Sequence, residues 1–312
     1  MQVYLPVAEI PVNVVLILAL GLLTGFMAGM FGIGGGFLAT PLLMFIGISP
    51  AIAVSTAANQ ITASSVSGVL AHLKRGNVDF KMGCILLIGG IIGSTLGVGI
   101  FKLLHQAGQT DLVISLIYVV FLGSIGTLML IDSIKIILEK KYNFVPRSKS
   151  RKRTSFLIRF LKKLGKLPFK QHFPKSEVTV SVIVPIVIGV FIGTLVSIMG
   201  IGGGFIMIPA MIYILRMPPT IVVGTSLFQI IFIAGNVTFL QAISNHTVDI
   251  ILAFLMIISS VVGAQIGTRA GYKVNPDNLR SILSLMILSV CIKMFINLFT
   301  HPTVLYTVEV LK

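Results

Sequence analysis

The sequence predicts an all-α polytopic membrane protein made of two homologous helical repeats. It has about eight full transmembrane helices and two short segments that each begin at a glycine cluster. Three observations predict it. Hydrophobic residues make up 55% of the 312 residues and charged residues only 11%, whereas a soluble domain carries roughly 25% charged residues to wet its surface. Apolar runs of about 20 residues, enough to cross the hydrocarbon core as a helix, recur along the chain. Finally, Gly32-Ile33-Gly34-Gly35-Gly36-Phe37 returns 168 residues later as Gly200-Ile201-Gly202-Gly203-Gly204-Phe205. A soluble enzyme, a disordered chain and a disulfide scaffold are excluded. Cys84 and Cys291 stand alone in apolar runs, without disulfide or metal spacing.

Taken in order, the long runs lie near 12–31, 51–73, 82–104 and 112–134, then 179–199, 220–243, 250–271 and 279–299. Residues 1–11 hold Glu9 and no Lys or Arg. A signal peptide needs a basic n-region, so the first run is read as a membrane helix. Two shorter runs, 37–47 and 205–215, follow the glycine clusters and are too short to span untilted. The repeat extends beyond the clusters: Pro41 matches Pro209, Thr56 matches Thr225, Gln60 matches Gln229, and Val78-Asp79 matches Val248-Asp249. The organisation expected is a first transmembrane repeat over 1–134, a linker over 135–178, a second repeat over 179–300 and a tail over 301–312.

Charge is concentrated in the linker. Fourteen of the 24 Lys and Arg lie between Lys135 and Lys175, where Glu139 is the only acid, so this stretch holds +13 of the net +15. A basic run joining two apolar halves reads as a cytoplasmic loop facing anionic headgroups, not as a nucleic-acid surface. Within it, residues 151–167 alternate basic and apolar residues at helical spacing, the pattern of an amphipathic helix on the membrane surface.

The short segments decide whether the repeats are parallel or inverted. If both cross, Lys74, Arg75, Lys81, Arg216, Arg269, Lys273 and Arg280 share the linker's side, and only Lys102 and Lys312 lie opposite. If both are re-entrant, Lys102, Arg216, Arg269, Lys273 and Arg280 lie outside against Lys74, Arg75, Lys81 and Lys312 inside. The positive-inside bias favours inverted repeats.

The glycine clusters carry the main chemical suggestion. Adjacent glycines weaken a helix and bare its backbone N–H groups, and each cluster opens a helix whose N-terminus attracts anions. Interrupted segments at matching places in two halves point to a transporter's substrate site. Gly34, Gly35, Gly36, Gly202, Gly203 and Gly204 are therefore candidate substrate-binding positions; tight helix packing is the structural alternative. On the helix after each cluster, Thr56, Gln60 and Ser67 share one face, as do Thr225, Gln229 and Asn236. These side chains could bind oxyanion oxygens or act as interhelical polar contacts; Asn59 and Ser226 flank them. The series Gly21, Gly25, Gly29 and Gly89, Gly93, Gly97 read as packing faces. Neither a P-loop, HExxH nor a hydrolase nucleophile motif occurs. No enzyme activity, cofactor or metal is expected.

GIGGGFLATPLLMFIGISPAIAVSTAANQ followed by AHLKRGNVDFK, and GIGGGFIMIPAMIYILRMPPTIVVGTS followed by NHTVDI and GAQIGTRAG, resemble the two halves of a sulfite exporter TauE/SafE family protein. The resemblance implies a multi-pass permease of the cell (inner) membrane that exports sulfite, organosulfonates or related small sulfur oxyanions. Its Thr-Ser pair stands here as Thr225-Ser226 and becomes Thr56-Ala57 in the first half. A passive small-anion channel and a non-transporting scaffold are the alternatives to a carrier.

Overall fold

The computed structural model describes residues 2–141, 169–271 and 276–300. The amphipathic helix expected over 151–167 and the tail lie outside the described residues. The elements are β1 (Gln2–Leu5), β2 (Ile10–Asn13), α1 (Val14–Phe31), α2 (Gly36–Phe45), α3 (Pro50–Leu73), α4 (Phe80–Gln106) and α5 (Thr110–Lys141). The second half repeats them as β3 (Lys170–Phe173), β4 (Val178–Ser181), α6 (Ile183–Met199), α7 (Gly204–Tyr213), α8 (Pro219–Ser244), α9 (Ile250–Gly271) and α10 (Pro276–Thr300).

Two features depart from the expected all-α chain with about eight spans. First, each half opens with an antiparallel hairpin, pairing Leu5 with Ile10 and Phe173 with Val178. All four strand bounds are offset by 168, so the duplication reaches upstream of the first helix. The second hairpin also falls largely inside the stretch expected as linker. Second, six described helices are long and apolar enough to cross a membrane. Helix α3 has the length, but its hydroxyls and amides lower its hydropathy, and α6 has only 17 residues.

The closest helix pairs join one half to the other. Helices α1 and α9 run side by side in the same direction, and a Cβ on Gly25 would stand 2.1 Å from the Ser260 carbonyl oxygen. The matching pair, α4 and α6, repeats this: a Cβ on Gly93 would stand 2.0 Å from the Val190 oxygen. Only glycine allows backbones so close, and in lipid that approach supplies the van der Waals contact that holds helices together. Helices α3 and α8 run antiparallel, Gly68 lying against Leu227 and Gly235 facing Thr62. Outside them α5 meets α10, where Gly123 faces Cys291 and Gly126 faces Ile287.

Each short helix doubles back. Leu43 and Ile48 at the end of α2 cluster with Leu5, Val12 and Ile17 of the first hairpin and α1. Met211 and Leu215, at the end of α7, cluster with Phe173 and Val184. The hairpins are then fastened to the opposite half by two buried carboxylates. Asp249 caps α9 by accepting from Leu252 N (3.0 Å), and its other oxygen accepts from Val7 N (3.0 Å). Asp79 caps α4 by accepting from Met82 N (3.1 Å), and its other oxygen accepts from the Ser176 hydroxyl.

Leucine at Gly25 or Gly93 is expected to cost at least about 1–3 kcal/mol by overpacking. Leucine at Gly99, where a Cβ would meet nothing within 4 Å, is expected to leave stability unchanged or raised. Thermal unfolding of the detergent-solubilised variants checks the contrast.

Candidate functional site

Both glycine clusters are helix breaks. Gly32 ends α1 in the left-handed region (φ 68°) and its N–H reaches the Ala28 carbonyl at 2.9 Å. Gly34 and Gly35 follow at φ 85° and 73°, and α2 starts at Gly36. The second break copies this sequence, with Gly200, Gly202 and Gly203 at φ 64°, 78° and 69° before α7. An L-residue in this region strains the backbone, which is why glycine stands there.

The two breaks meet. A Cβ on Gly36 would lie 2.7 Å from the Gly200 carbonyl oxygen, and one on Gly204 would lie 2.4 Å from the Ile33 oxygen. Phe37 and Phe205 stack across the junction with centroids 5.3 Å apart. The positive N-terminal ends of α2 and α7 are thereby drawn into one buried region. All residues from Gly32 to Gly36 and from Gly200 to Gly204 are buried. Among the described residues, the N–H groups of Gly34, Gly35, Gly202 and Gly203 have no protein acceptor, whereas the Gly204 N–H bonds to the Gly202 carbonyl at 2.8 Å.

Four fully buried side chains on α3 and α8 also keep polar atoms without partners: Thr56 Oγ1, Gln60 Oε1, Ser65 Oγ and both amide atoms of Gln229. Leaving such a group unsatisfied in a dry interior costs about 1–3 kcal/mol. The duplicated glutamines are not chemically equal. Gln60 Nε2 donates to Thr24 Oγ1 at 2.6 Å, and that hydroxyl is itself spent on the Leu20 carbonyl at 2.8 Å. Gln60 therefore keeps one amide N–H and its Oε1, while Gln229 keeps its whole amide unengaged.

The remaining sequence candidates separate. Thr225 Oγ1 accepts from Asp79 N at 3.0 Å, at the start of α4. Ser226 bonds back to the Val223 carbonyl at 2.9 Å. Asn236 donates to Ser94 (2.8 Å) and Thr95 (3.3 Å) and ties α8 to α4. Asn59 is half-buried. Lys293 is exposed, with its ammonium 4.2 Å from the Phe45 ring centroid, so the junction of the breaks is lined by neutral groups.

Sequence reasoning missed Ile61 and Ile230. Each touches glycines of both clusters: Ile61 would meet a Cβ on Gly36 at 2.1 Å and on Gly202 at 2.8 Å, and Ile230 one on Gly204 at 2.9 Å and on Gly34 at 3.7 Å. They fill the space between the breaks. The signal was present, since Gln60-Ile61 recurs as Gln229-Ile230, but an isoleucine in an apolar helix reads as ordinary core.

A family model described as Sulfite exporter TauE/SafE matches residues 17–294. The chain is 29% identical over 269 residues to the probable membrane transporter protein YunE of Bacillus subtilis, covering 84% of this chain and 88% of that one. It is 28% identical over 275 residues to the probable membrane transporter protein YjnA of the same organism, covering 87% and 96%. Sulfite exporter TauE/SafE family protein 1 of Arabidopsis thaliana is 28% identical over 103 residues, covering 33% of this chain and 23% of that protein. No solved structure matches.

Alanine at Gly36 tests the contact of the two breaks. It is expected to destabilise by about 1–3 kcal/mol. Trimming the neighbour with Ile61→Val should not restore stability, because the Gly200 carbonyl is backbone and cannot yield. Unfolding temperatures of the single and double variants check this.

Proposed function

The chain belongs to the sulfite exporter TauE/SafE family of membrane transporters, and on that footing we propose that it exports small sulfur oxyanions, such as sulfite or organosulfonates, through the junction of the two helix breaks. The observation that carries this reading is the set of buried polar atoms without partners at and beside that junction. Donors come from the Gly34, Gly35, Gly202 and Gly203 N–H groups, the Thr56 hydroxyl and the Gln229 amide. Gln60 Oε1 suits the O–H of a singly protonated oxyanion. Because these groups are neutral, the anion is held by hydrogen bonds alone and can be released, as conduction requires. The membrane potential favours export, by roughly 2.3 kcal/mol per charge per 100 mV.

The reading takes the repeats as inverted, with α2 and α7 completing five crossings in each half. Its support is the direction of the helices: α3 and α8 are matching elements yet run antiparallel, as an inverted repeat would place them. A bond of 2.7 Å between Ser55 and Thr247 likewise brings the start of α3 to the connection between α8 and α9. The basic end of the molecule, with Lys74, Arg75, Lys175 and Arg216, then faces the cytoplasm. Ile61 and Ile230 are the barrier that must move for an anion to pass.

Two measurements test the proposal. In proteoliposomes, Gln229→Ala is expected to raise the half-saturation concentration for sulfite roughly tenfold to a hundredfold, from a lost charged hydrogen bond of about 1.5–3 kcal/mol. Gln60→Ala, whose amide is already partly engaged by Thr24, should do less. Unchanged affinity in both would reassign these glutamines to helix packing, and absence of saturation and counterflow would indicate a channel. For topology, cysteines are placed at His246 and at Arg216 in a chain lacking Cys84 and Cys291. An impermeant thiol reagent added to intact cells should label the first and spare the second; the reverse result would favour parallel repeats.

A further inference from the structure

The duplication makes the two ends of the molecule comparable, and they differ in charge. On α3 the residues Thr56, Gln60, Ser64, Ser67 and Ala71 follow one another at steps of four or three and so share one face, and Arg75 stands in the turn just past the helix end. Along this face and into that turn burial falls steadily: Thr56, Gln60 and Ser64 are buried, Ser67 and Ala71 half-buried, and Arg75 exposed. The exposed end of the face lines a cleft of about 570 Å³ between the C-terminal turns of α3 and α9, which includes Ser67, Ala71, Lys74, Arg75, Thr268 and Arg269. The stripe thus runs from a basic cleft at the surface to the unpartnered Thr56 hydroxyl and Gln60 Oε1 in the interior.

The corresponding place at the opposite end has no such character. Residues matching Ser67, Lys74, Arg75 and Arg269 are Asn236, Ile243, Ser244 and Gly99. There Asn236 bonds across to Ser94 and Thr95 and ties the two helices together. Three cations therefore stand at one end where the matching positions at the other are uncharged.

We propose that the Lys74–Arg75–Arg269 cleft is an anion-collecting vestibule, which binds the substrate oxyanion before it passes along the α3 stripe. This rests on the transport reading above and adds the place where the anion is first held. Clustered charge of one sign against low-dielectric walls concentrates counter-ions and raises their association rate by ten-fold or more. The advantage fades as salt shortens the screening length from about 30 Å at 0.01 M to about 3 Å at 1 M. The same cations would also suit the phosphate of an anionic lipid, so the test must separate the two sources.

The direct test is charge-selective labelling at Ser67→Cys, in a chain lacking Cys84 and Cys291 and reconstituted in phosphatidylcholine nanodiscs. An anionic methanethiosulfonate should react faster than a cationic one, by about tenfold relative to a free thiol. The preference should fall in high salt and vanish with Lys74→Gln, Arg75→Gln and Arg269→Gln combined, yet survive Lys74→Arg, Arg75→Lys and Arg269→Lys. In proteoliposomes the neutralised variant should raise the half-saturation concentration for sulfite about tenfold at low salt while keeping the maximal rate. A labelling ratio indifferent to neutralisation overturns the vestibule, even if sulfite flux saturates normally. Suppression of both labelling reactions by added phosphatidylglycerol also overturns it, and assigns the cleft to a lipid headgroup. A charge-selective cleft in a protein that moves no sulfite would leave the vestibule standing and overturn sulfite as its substrate.

Discussion

Everything in this molecule depends on two places where helix backbones touch with no side chain between them. Lipid offers no hydrophobic reward for bringing apolar helices together, so association must come from close packing and satisfied polar groups. The glycine faces of α1 and α9, and of α4 and α6, supply the first. Asp79 and Asp249 supply the second, each capping a helix with one oxygen and holding the other half's hairpin with its second. Apart from the caps themselves, these contacts cross from one repeat to the other. The halves are not two domains that meet at an interface. They are interleaved.

That interleaving brings the helix breaks together. Because α1 is held against α9 and α6 against α4, their C-terminal ends converge, and the chain can leave each only through left-handed glycines. The result is irregular backbone in the interior, which membrane proteins tolerate where it is buried in protein or lines a path for solute. Ile61 and Ile230 fill the space so created. On our reading the unpartnered donors beside them are kept for an anion, which gives the buried glutamines a use that packing alone does not.

The helices were legible because each announces itself by length. Runs predicted at 51–73 and 250–271 appear as Pro50–Leu73 and Ile250–Gly271. The hairpins were not, since four-residue strands containing Pro11 or Lys170 and His172 carry no clear alternation. Their order comes from tertiary contacts with Asp79 and Asp249, residues visible in the sequence only as a repeated dipeptide. Small-residue faces were legible as faces, but their partners were not, because spacing on one helix says nothing about which helix meets it. The polar stripe was legible as a face too. The difference between Gln60 and Gln229 was not, because it arises from Thr24, a residue far away in sequence whose hydroxyl occupies one amide and has no counterpart bonded to the other.

The exchange of partners between halves also has a cost in time. Helix α1 leaves the ribosome with a glycine face whose partner, α9, begins roughly 200 residues later, a delay of about 10 to 40 seconds at ordinary synthesis rates. Through that interval α1, α2 and α3 stand in the membrane with their contacts unmade, and the α2 break exposes backbone that lipid cannot satisfy. Biosynthesis therefore has an incomplete stage built into it. The nascent first half keeps those contacts unmade until the last third of the chain arrives to close it.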